Sequence, residues 1–197
     1  LYAEPDALAY ALFTPNDPLF PSQWGPPAIG VPGAWDITLG SKNVVVAIVD
    51  TGVQYSHPDL SANMWKASDG SYGWNFVSGN KNPNDDNGHG THVAGIVAAT
   101  INNGVGVAGT SQSRIMAVKV LSSSGSGYVS AVASGIQWAA DHGAQTINLS
   151  LGGGASTTLL NAVTYAYNRG VLLVAAAGNG STGCTVIYPA AYSQVVA

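Results

Sequence analysis

The amino-acid sequence predicts an α/β fold, with a mostly parallel sheet and helices on both of its faces. Over most of the 197 residues, strand-like apolar segments alternate with segments of helical period, and the connections between them are short. The run Val44–Val49 is apolar at every position, which is typical of a strand that a parallel sheet buries on both faces. Such strand–helix–strand units form right-handed crossovers, so neighbouring strands should run parallel.

The first part of the chain contains one well-defined strand. Prolines exclude a long helix before residue 22, and Ala7–Phe13 fits a short helix or a strand equally well. A short helix is predicted at Pro32–Ile37. The strand Val44–Val49 then ends at Asp50–Gly52, where a carboxylate is followed by a turn-forming glycine.

A second helix is predicted to begin near His89, directly after the polar turn Asn84–Gly88. Its helical period predicts an inward stripe made of Val93, Ile96, Val97 and Thr100. This places an imidazole in the first turn of a helix whose small residues permit close packing.

The second half of the chain continues the alternation. We predict strands at Ile115–Leu121, Thr146–Leu151 and Val171–Ala176, and helices at Ser130–His142 and Thr157–Asn168. The first of these helices should bury Val132, Ile136 and Ala139. Because the carboxyl ends of parallel strands meet at one edge, the loops that begin at Asp50, Ser150 and Ala177 should open together there.

Composition excludes several classes of function. Only 8% of the residues are charged, against about 25% in an average soluble domain. With a net charge of −4 the sequence has no basic patch for nucleic acid. It also has no apolar run of about 20 residues, so we expect no membrane span. The single Cys184 cannot form an internal disulfide. Little charge and many small polar residues are common in secreted hydrolases.

Asp50 and His89 predict an orienting pair. A carboxylate can fix the tautomer of an imidazole and stabilise its protonated form, which leaves the other ring nitrogen to take a proton from a hydroxyl or thiol. Asn179, in a glycine-flanked loop, could donate its amide to a developing oxyanion. The simpler alternatives are a turn aspartate, a packed or capping histidine and a turn asparagine.

Two other motifs offer alternatives to this interpretation. Gly104–Gly109 matches the spacing of a dinucleotide-binding loop, but it follows a helix and leads into a strand, the reverse of the order that function needs. His89 and His92 could share a zinc ion, although no third ligand or His-Glu-x-x-His pattern accompanies them.

Three segments resemble the motifs of one family. Val46–Gly52 resembles the aspartate motif of subtilisin-like serine proteases (subtilases), Gly88–Gly95 their histidine motif, and Ala175–Asn179 the loop with their oxyanion asparagine. The segment Thr14–Pro18 is most similar to the thermitase-like branch. The resemblance implies a subtilisin-like fold and a secreted serine endopeptidase with an Asp-His-Ser triad.

By this resemblance Asp50 orients the imidazole, His89 acts as general base and then acid, and Asn179 donates to the oxyanion. A protein or peptide substrate would bind as an extended strand along Gly125, Ser126 and Gly127. The side chain before the scissile bond would enter a pocket formed by Ser150, Leu151, Gly152, Gly153, Ala177 and Gly178. Small residues on both walls predict a roomy pocket.

The resemblance also implies a structural calcium ion, a cation that takes oxygen ligands. Ile101–Val107 resembles the family's calcium loop, which presents carbonyl oxygens and an asparagine side chain. The implied ligands are Asp17, Asp59, Ile101, Asn103, Val105 and Val107. The alternative is a plain Asn-Gly turn.

The sequence departs from the family pattern in two places. The family's serine lies in a Gly-Thr-Ser-Met-Ala motif after the aspartate and histidine motifs, and no such motif occurs here. We therefore expect residues 13–197 to be the N-terminal two-thirds of a subtilisin-like peptidase domain, with the C-terminal part missing and the nucleophile beyond Ala197. Tyr2–Pro5 resembles the end of the family's inhibitory propeptide. Residues 1–12 are accordingly expected to be a propeptide remnant and linker, which makes the protein's own propeptide a partner and the precursor a zymogen.

Two rival functions stay open. One is a non-catalytic peptide-binding module of the same fold, and the other is a metal-dependent hydrolase. Because the sequence holds no serine in a suitable motif, residues 1–197 alone are expected to be inactive.

Overall fold

A computed structural model of the chain describes residues 3–6, 13–180 and 185–197. The strands are β1 (Val45–Asp50), β2 (Gly73–Asn75), β3 (Arg114–Lys119), β4 (Thr146–Leu149), β5 (Leu172–Ala175) and β6 (Val195–Val196). The α-helices are α1 (Gly25–Ala28), α2 (Val31–Trp35), α3 (His89–Ala98), α4 (Val129–Asp141) and α5 (Thr157–Asn168). Short 3-10 helices lie at Phe20–Ser22 and Ser61–Asn63.

The six strands form one sheet in the order β2-β3-β1-β4-β5-β6, and every neighbouring pair is parallel. The predicted α/β class is therefore confirmed. The strand β1 is buried at all six positions, as its uninterrupted apolar run predicted. Residues predicted to end the other strands, such as Leu121, Leu151 and Ala176, lie instead in the loops at the carboxyl edge.

Helices α4 and α5 cover one face of the sheet. Their apolar sides pack with Ala47, Val49 and Val118 of the central strands into the larger of the hydrophobic clusters. Val132, Ile136 and Ala139 of α4 are buried there, as the helical period predicted. Burial of this face anchors the strand ends from which the candidate site is built.

Helix α3 covers the opposite face, and here the predicted inward stripe was right for Val93 and Val97, which pack against a second hydrophobic cluster, and wrong for Ile96. The buried residues of α3 are Gly90, Ala94 and Ala98, whereas Ile96 is 52% exposed and Val93 and Val97 are only partly buried. Thr100 lies beyond the end of the helix. The reason is distance, because α3 approaches the sheet so closely that only glycine and alanine fit between them. A Cβ on Gly90 would lie 2.1 Å from the carbonyl oxygen of Gly52.

The N-terminal segment packs against the loop that follows α3. Trp35 and Val31 form a small cluster with Ile101 and Ala108, and Phe13 stacks edge-on against Trp35 at 5.9 Å. The short helix predicted at residues 32–37 is present as α2. The undecided segment Ala7–Phe13 lies, except for Phe13, outside the described residues.

The strand β2 was not predicted, because three residues with a glycine carry no periodic signal. Within the described parts of the chain, no helix is long and apolar enough to cross a membrane.

Candidate active site

The carboxylate of Asp50 and the imidazole of His89 meet at the carboxyl edge of the sheet. Asp50 is the last residue of β1 and is completely buried, and its Oδ1 lies 2.7 Å from Nδ1 of His89. The same oxygen accepts the backbone N–H of Thr51 at 2.7 Å. This contact assigns the proton to Nδ1 and leaves Nε2 free to accept a proton from another group. The side chain of His89 is 51% exposed, so the pair is buried at the carboxylate and open at the imidazole.

The backbone conformation of Gly88 and the close contacts of Gly90 fix the start of α3 beside Asp50. Gly88 precedes His89 with φ of 107°, a left-handed conformation that glycine adopts without strain. The N–H of Gly90 donates to Oγ1 of Thr51 at 2.9 Å. A Cβ on Gly90 would also lie 3.2 Å from Oδ1 of Asp50, so glycine at this position lets the helix reach the carboxylate.

Asp85 ties this arrangement together, although the sequence suggested no positioning role for it. Its Oδ1 accepts Oγ1 of Thr51 at 2.9 Å and the N–H groups of Asn87 and Gly88, both at 3.0 Å. Its Oδ2 accepts the N–H and the hydroxyl of Thr91 at 3.0 and 2.6 Å. Partial burial raises the pKa of Asp85, but the donors from Gly88, Thr91 and Asn87 outweigh burial and lower the pKa to about 2.

Lys119 is the second neighbour that sequence reasoning missed. It ends β3, stands opposite Asp50 in the strand register, and is only 3% exposed. The signal was a lysine at the last position of β3, directly after four buried apolar residues, where a solvated charge would be the usual expectation.

A cleft of about 460 Å³ opens beside His89. Seven of the predicted substrate-binding residues line it, namely Gly125, Ser126, Gly127, Ser150, Leu151, Gly152 and Gly153. Tyr188 and Leu159 complete part of its wall. Ala177, Gly178 and Asn179 are exposed in the loop after β5, at the same edge of the sheet, but do not line this cleft.

One apolar side chain, that of Ile187, lies against both predicted walls of the side-chain pocket. Gly152 and Gly178 belong to the two predicted walls, and both lie against the side chain of Ile187. A Cβ on Gly152 would come within 2.2 Å of Cδ1 of Ile187, and one on Gly178 within 3.4 Å. Both predicted walls therefore contact Ile187, and the roomy pocket stays a prediction.

The predicted calcium ligands also come together, at the loop after α3. Asp17 and Asp59 are each 2% exposed. Asp17 accepts the N–H groups of Asn102 and Asn103 at 2.7 and 3.2 Å. Asp59 accepts Nδ2 of Asn103 and the N–H of Val107, both at 2.9 Å.

The donor chemistry of this loop fits a hard cation. Neither Asp17 nor Asp59 forms an ion pair within the described parts of the chain, so two buried carboxylates converge on one loop with neutral partners only. A Cβ on Gly106 would lie 2.3 Å from Oδ2 of Asp59, so the backbone closes tightly around that carboxylate. Ile101 is buried and Val105 is 40% exposed in the same loop.

The two histidines of α3 have different surroundings. His89 contacts Asp50, whereas His92 is exposed one turn further on and lines a separate, mostly apolar groove with Trp24 and Ile96. Among the described residues, no three histidine, cysteine, aspartate or glutamate side chains are grouped so that they could hold a metal ion. Cys184 lies outside those residues.

Fold and site together define a class: a parallel α/β protein with an aspartate–histidine pair at the carboxyl edge of its sheet. The sequence profile of the subtilase family matches residues 41–197, and the chain belongs to that family. It is 52% identical to thermitase from Thermoactinomyces vulgaris over 189 residues, which cover 94% of this chain and 64% of that protein.

Other relatives agree. A thermophilic serine proteinase of Bacillus sp. (strain AK1) is 48% identical over 199 residues, which cover 100% of this chain and 48% of the relative. Subtilisin Savinase from Lederbergia lenta is 45% identical over 176 residues, or 88% of this chain and 61% of the relative. The predicted resemblance to the thermitase-like branch is confirmed. The chain spans less than two-thirds of the length of each of these relatives.

Proposed function

We propose that the protein is a secreted serine endopeptidase in which Asp50 and His89 activate a serine hydroxyl. The observation that carries the proposal is the 2.7 Å contact between the buried carboxylate and Nδ1 of the half-exposed imidazole. Membership of the subtilase family and relatives named as serine proteinases support it. The serine itself is proposed to lie outside residues 1–197, since these residues contain no Gly-Thr-Ser-Met-Ala motif.

Each residue has a defined task in this proposal. Nε2 of His89 takes the proton of the attacking hydroxyl and later delivers it to the leaving amine. Asp50 stabilises the imidazolium ion that forms in between, and its complete burial keeps water from screening that attraction. Asn179 donates its side-chain amide to the oxyanion. The segment Gly125–Gly127 pairs with the substrate backbone as an added strand.

Calcium is proposed as a structural cofactor at the loop after α3. The carboxylates of Asp17 and Asp59, the amide oxygen of Asn103, and the carbonyl oxygens of Ile101, Val105 and Val107 would hold it. The ion would neutralise two buried carboxylates that pair with no cationic side chain in residues 3–6, 13–180 and 185–197, and so would tie the N-terminal segment to the loop. Residues 1–12 are proposed to be a remnant of an inhibitory propeptide and a linker.

The proposed function is tested on the full-length polypeptide with a chromogenic peptide and a fluorophosphonate probe. His89→Ala should abolish turnover and labelling, because no other group can take the proton from the hydroxyl. His92→Ala, its matched control on the same helix, should leave both intact.

The rival functions give other results. A metal-dependent hydrolase would lose activity with His92→Ala or with a zinc-selective chelator, and would not react with the fluorophosphonate. A non-catalytic module would bind the peptide without turnover or labelling even as the wild type. Either pattern would overturn the proposal.

A further inference from the structure

We propose that Lys119 is a positioning residue that sets the alignment of His89 against Asp50. The proposal rests on the function proposed above, since it concerns the same pair. Lys119 contacts neither member of the pair through a hydrogen bond in the described structure. Its ammonium group instead binds the two segments that carry them.

The ammonium of Lys119 makes three short contacts. It donates to the carbonyl oxygen of Thr51 at 2.6 Å, to that of Leu121 at 2.8 Å and to Oδ1 of Asp86 at 2.6 Å. All three donor positions of the ammonium are thereby used. The side chain of Lys119 is buried, with 3% of its surface exposed, whereas the side chain of its partner Asp86 is 55% exposed.

Two of these acceptors, Thr51 and Asp86, belong to the segments that hold the pair. Thr51 follows Asp50 directly, and its hydroxyl accepts the N–H of Gly90 at 2.9 Å. Asp86 lies in the turn that leads into α3, three residues before His89. Lys119 therefore joins the end of β1, the end of β3 and the turn before α3, and any movement of this cation shifts the carboxylate relative to the imidazole.

Packing alone does not account for a lysine at this position. Its strand neighbours Val118 and Val120 are completely buried in the hydrophobic cluster under α4. An uncharged side chain of similar length would avoid the cost of removing an ammonium from water, and two of the three acceptors are neutral carbonyls that repay little of that cost. In return, the ammonium fixes the positions of its three acceptors relative to one another, because each of its hydrogen bonds is charge-assisted.

The test uses Lys119→Met in the full-length polypeptide, with Lys81→Met as the matched control. Lys81 also binds an aspartate, Asp69, at 2.6 Å, but on an exposed surface. Lys119→Met should lower kcat per active site by about 10–10²-fold with KM within about twofold, as expected when a reacting pair is slightly misplaced. The ring N–H resonance of His89 in a ¹H–¹⁵N spectrum should shift or broaden. Lys81→Met should change neither quantity.

A second variant keeps the test decisive if Lys119→Met does not fold. Asp86→Asn removes the half-exposed acceptor's charge and keeps the cation, so it should fold, lower kcat less than Lys119→Met, and move the same His89 resonance. An unchanged kcat per active site with an unmoved resonance in the folded variants would overturn the positioning role. Failure of the proposed function gives a different result, because the wild type itself would then not be labelled by the fluorophosphonate, whatever the variants at Lys119 and Asp86 do.

Discussion

Two regions of the molecule bury carboxylates in opposite ways. In the Asp50 site (Asp50, Thr51 and His89), Oδ1 of Asp50 takes two donors, and Oδ2 is buried without a partner among the described residues. In the calcium loop (Asp17, Asp59 and residues 101–107), each of the four carboxylate oxygens accepts an N–H. Within the described part of the chain, Asp50 thus keeps one carboxylate oxygen without a hydrogen-bond donor and lies next to a titratable ring. Every carboxylate oxygen of Asp17 and Asp59, in contrast, accepts a hydrogen bond from an amide group, which does not titrate.

The difference shows what each region can do. A carboxylate whose strongest partner is an imidazole strengthens its bond when that ring is protonated, so the Asp50 site is suited to proton transfer. Carboxylates held by amide N–H groups are fixed in position, and this fixed geometry supports the proposal that the loop holds a cation. Burial alone would not separate them, since Asp50, Asp17 and Asp59 are all at most 2% exposed.

The largest expected effect comes from Gly90→Ala, which breaks the close approach in the Asp50 site. The new Cβ would lie 2.1 Å from the carbonyl oxygen of Gly52, so α3 must move away from β1. We expect a loss of about 3 kcal/mol in the free energy of unfolding, as for severe overpacking. We also expect a loss of about 10²-fold in kcat, because His89 moves with the helix. Denaturant unfolding and peptide hydrolysis measure the two.

Gly95→Ala is the matched control on the same helix. A Cβ there meets nothing within 4 Å, so the variant should gain about 1 kcal/mol from helix propensity and keep its kcat. Equal effects of the two substitutions would mean that the helix tolerates displacement and that proximity to Asp50 is not set by Gly90.

Asp59→Asn is the next largest test, and it addresses the calcium loop. Calcium at 100 times its Kd should stabilise the wild type by about 2.7 kcal/mol, and Asp59→Asn should remove most of that gain by removing a ligand charge. Thermal unfolding with and without added calcium measures the difference, with the exposed Asp141→Asn as control. A calcium-dependent rise in Tm that survives Asp59→Asn would exclude Asp59 from the site.

Sequence reasoning reached the two regions by different routes. Asp50 and His89 were predicted because each stands at one end of a periodic segment, whereas the cleft residues and the calcium ligands were predicted from the resemblance to the subtilase family. The inward stripe of α3 was predicted only in part, because Gly90, Ala94 and Ala98 occupy the closest approach to the sheet, where larger apolar residues do not fit. The contact of Ile187 with both pocket walls and the burial of Lys119 join segments distant in sequence, and no local pattern encodes such contacts.

The smallest expected effect, that of Asp85→Asn, sharpens the comparison. Asp85 lies beside the Asp50 site, but both of its carboxylate oxygens accept hydrogen bonds, as those of Asp17 and Asp59 do. Its pKa is lowered from 3.8 to about 2, so its ionised form stabilises the fold at neutral pH, and this contribution is lost as the pH falls through that window. Allowing for solvent screening of a partly exposed group, Asp85→Asn should cost about 1 kcal/mol in the free energy of unfolding at pH 7. The difference from wild type should vanish near the folded-state pKa. Asp69→Asn is the control, since the hydrogen bond from Lys81 also lowers the pKa of Asp69, but this carboxylate lies on the exposed surface and should matter little. If the cost of Asp85→Asn is unchanged at low pH, the hydrogen bonds to Asp85 stabilise the fold through their geometry and not through the charge of the carboxylate. Asp85 would then differ in its role from the carboxylates of the calcium loop.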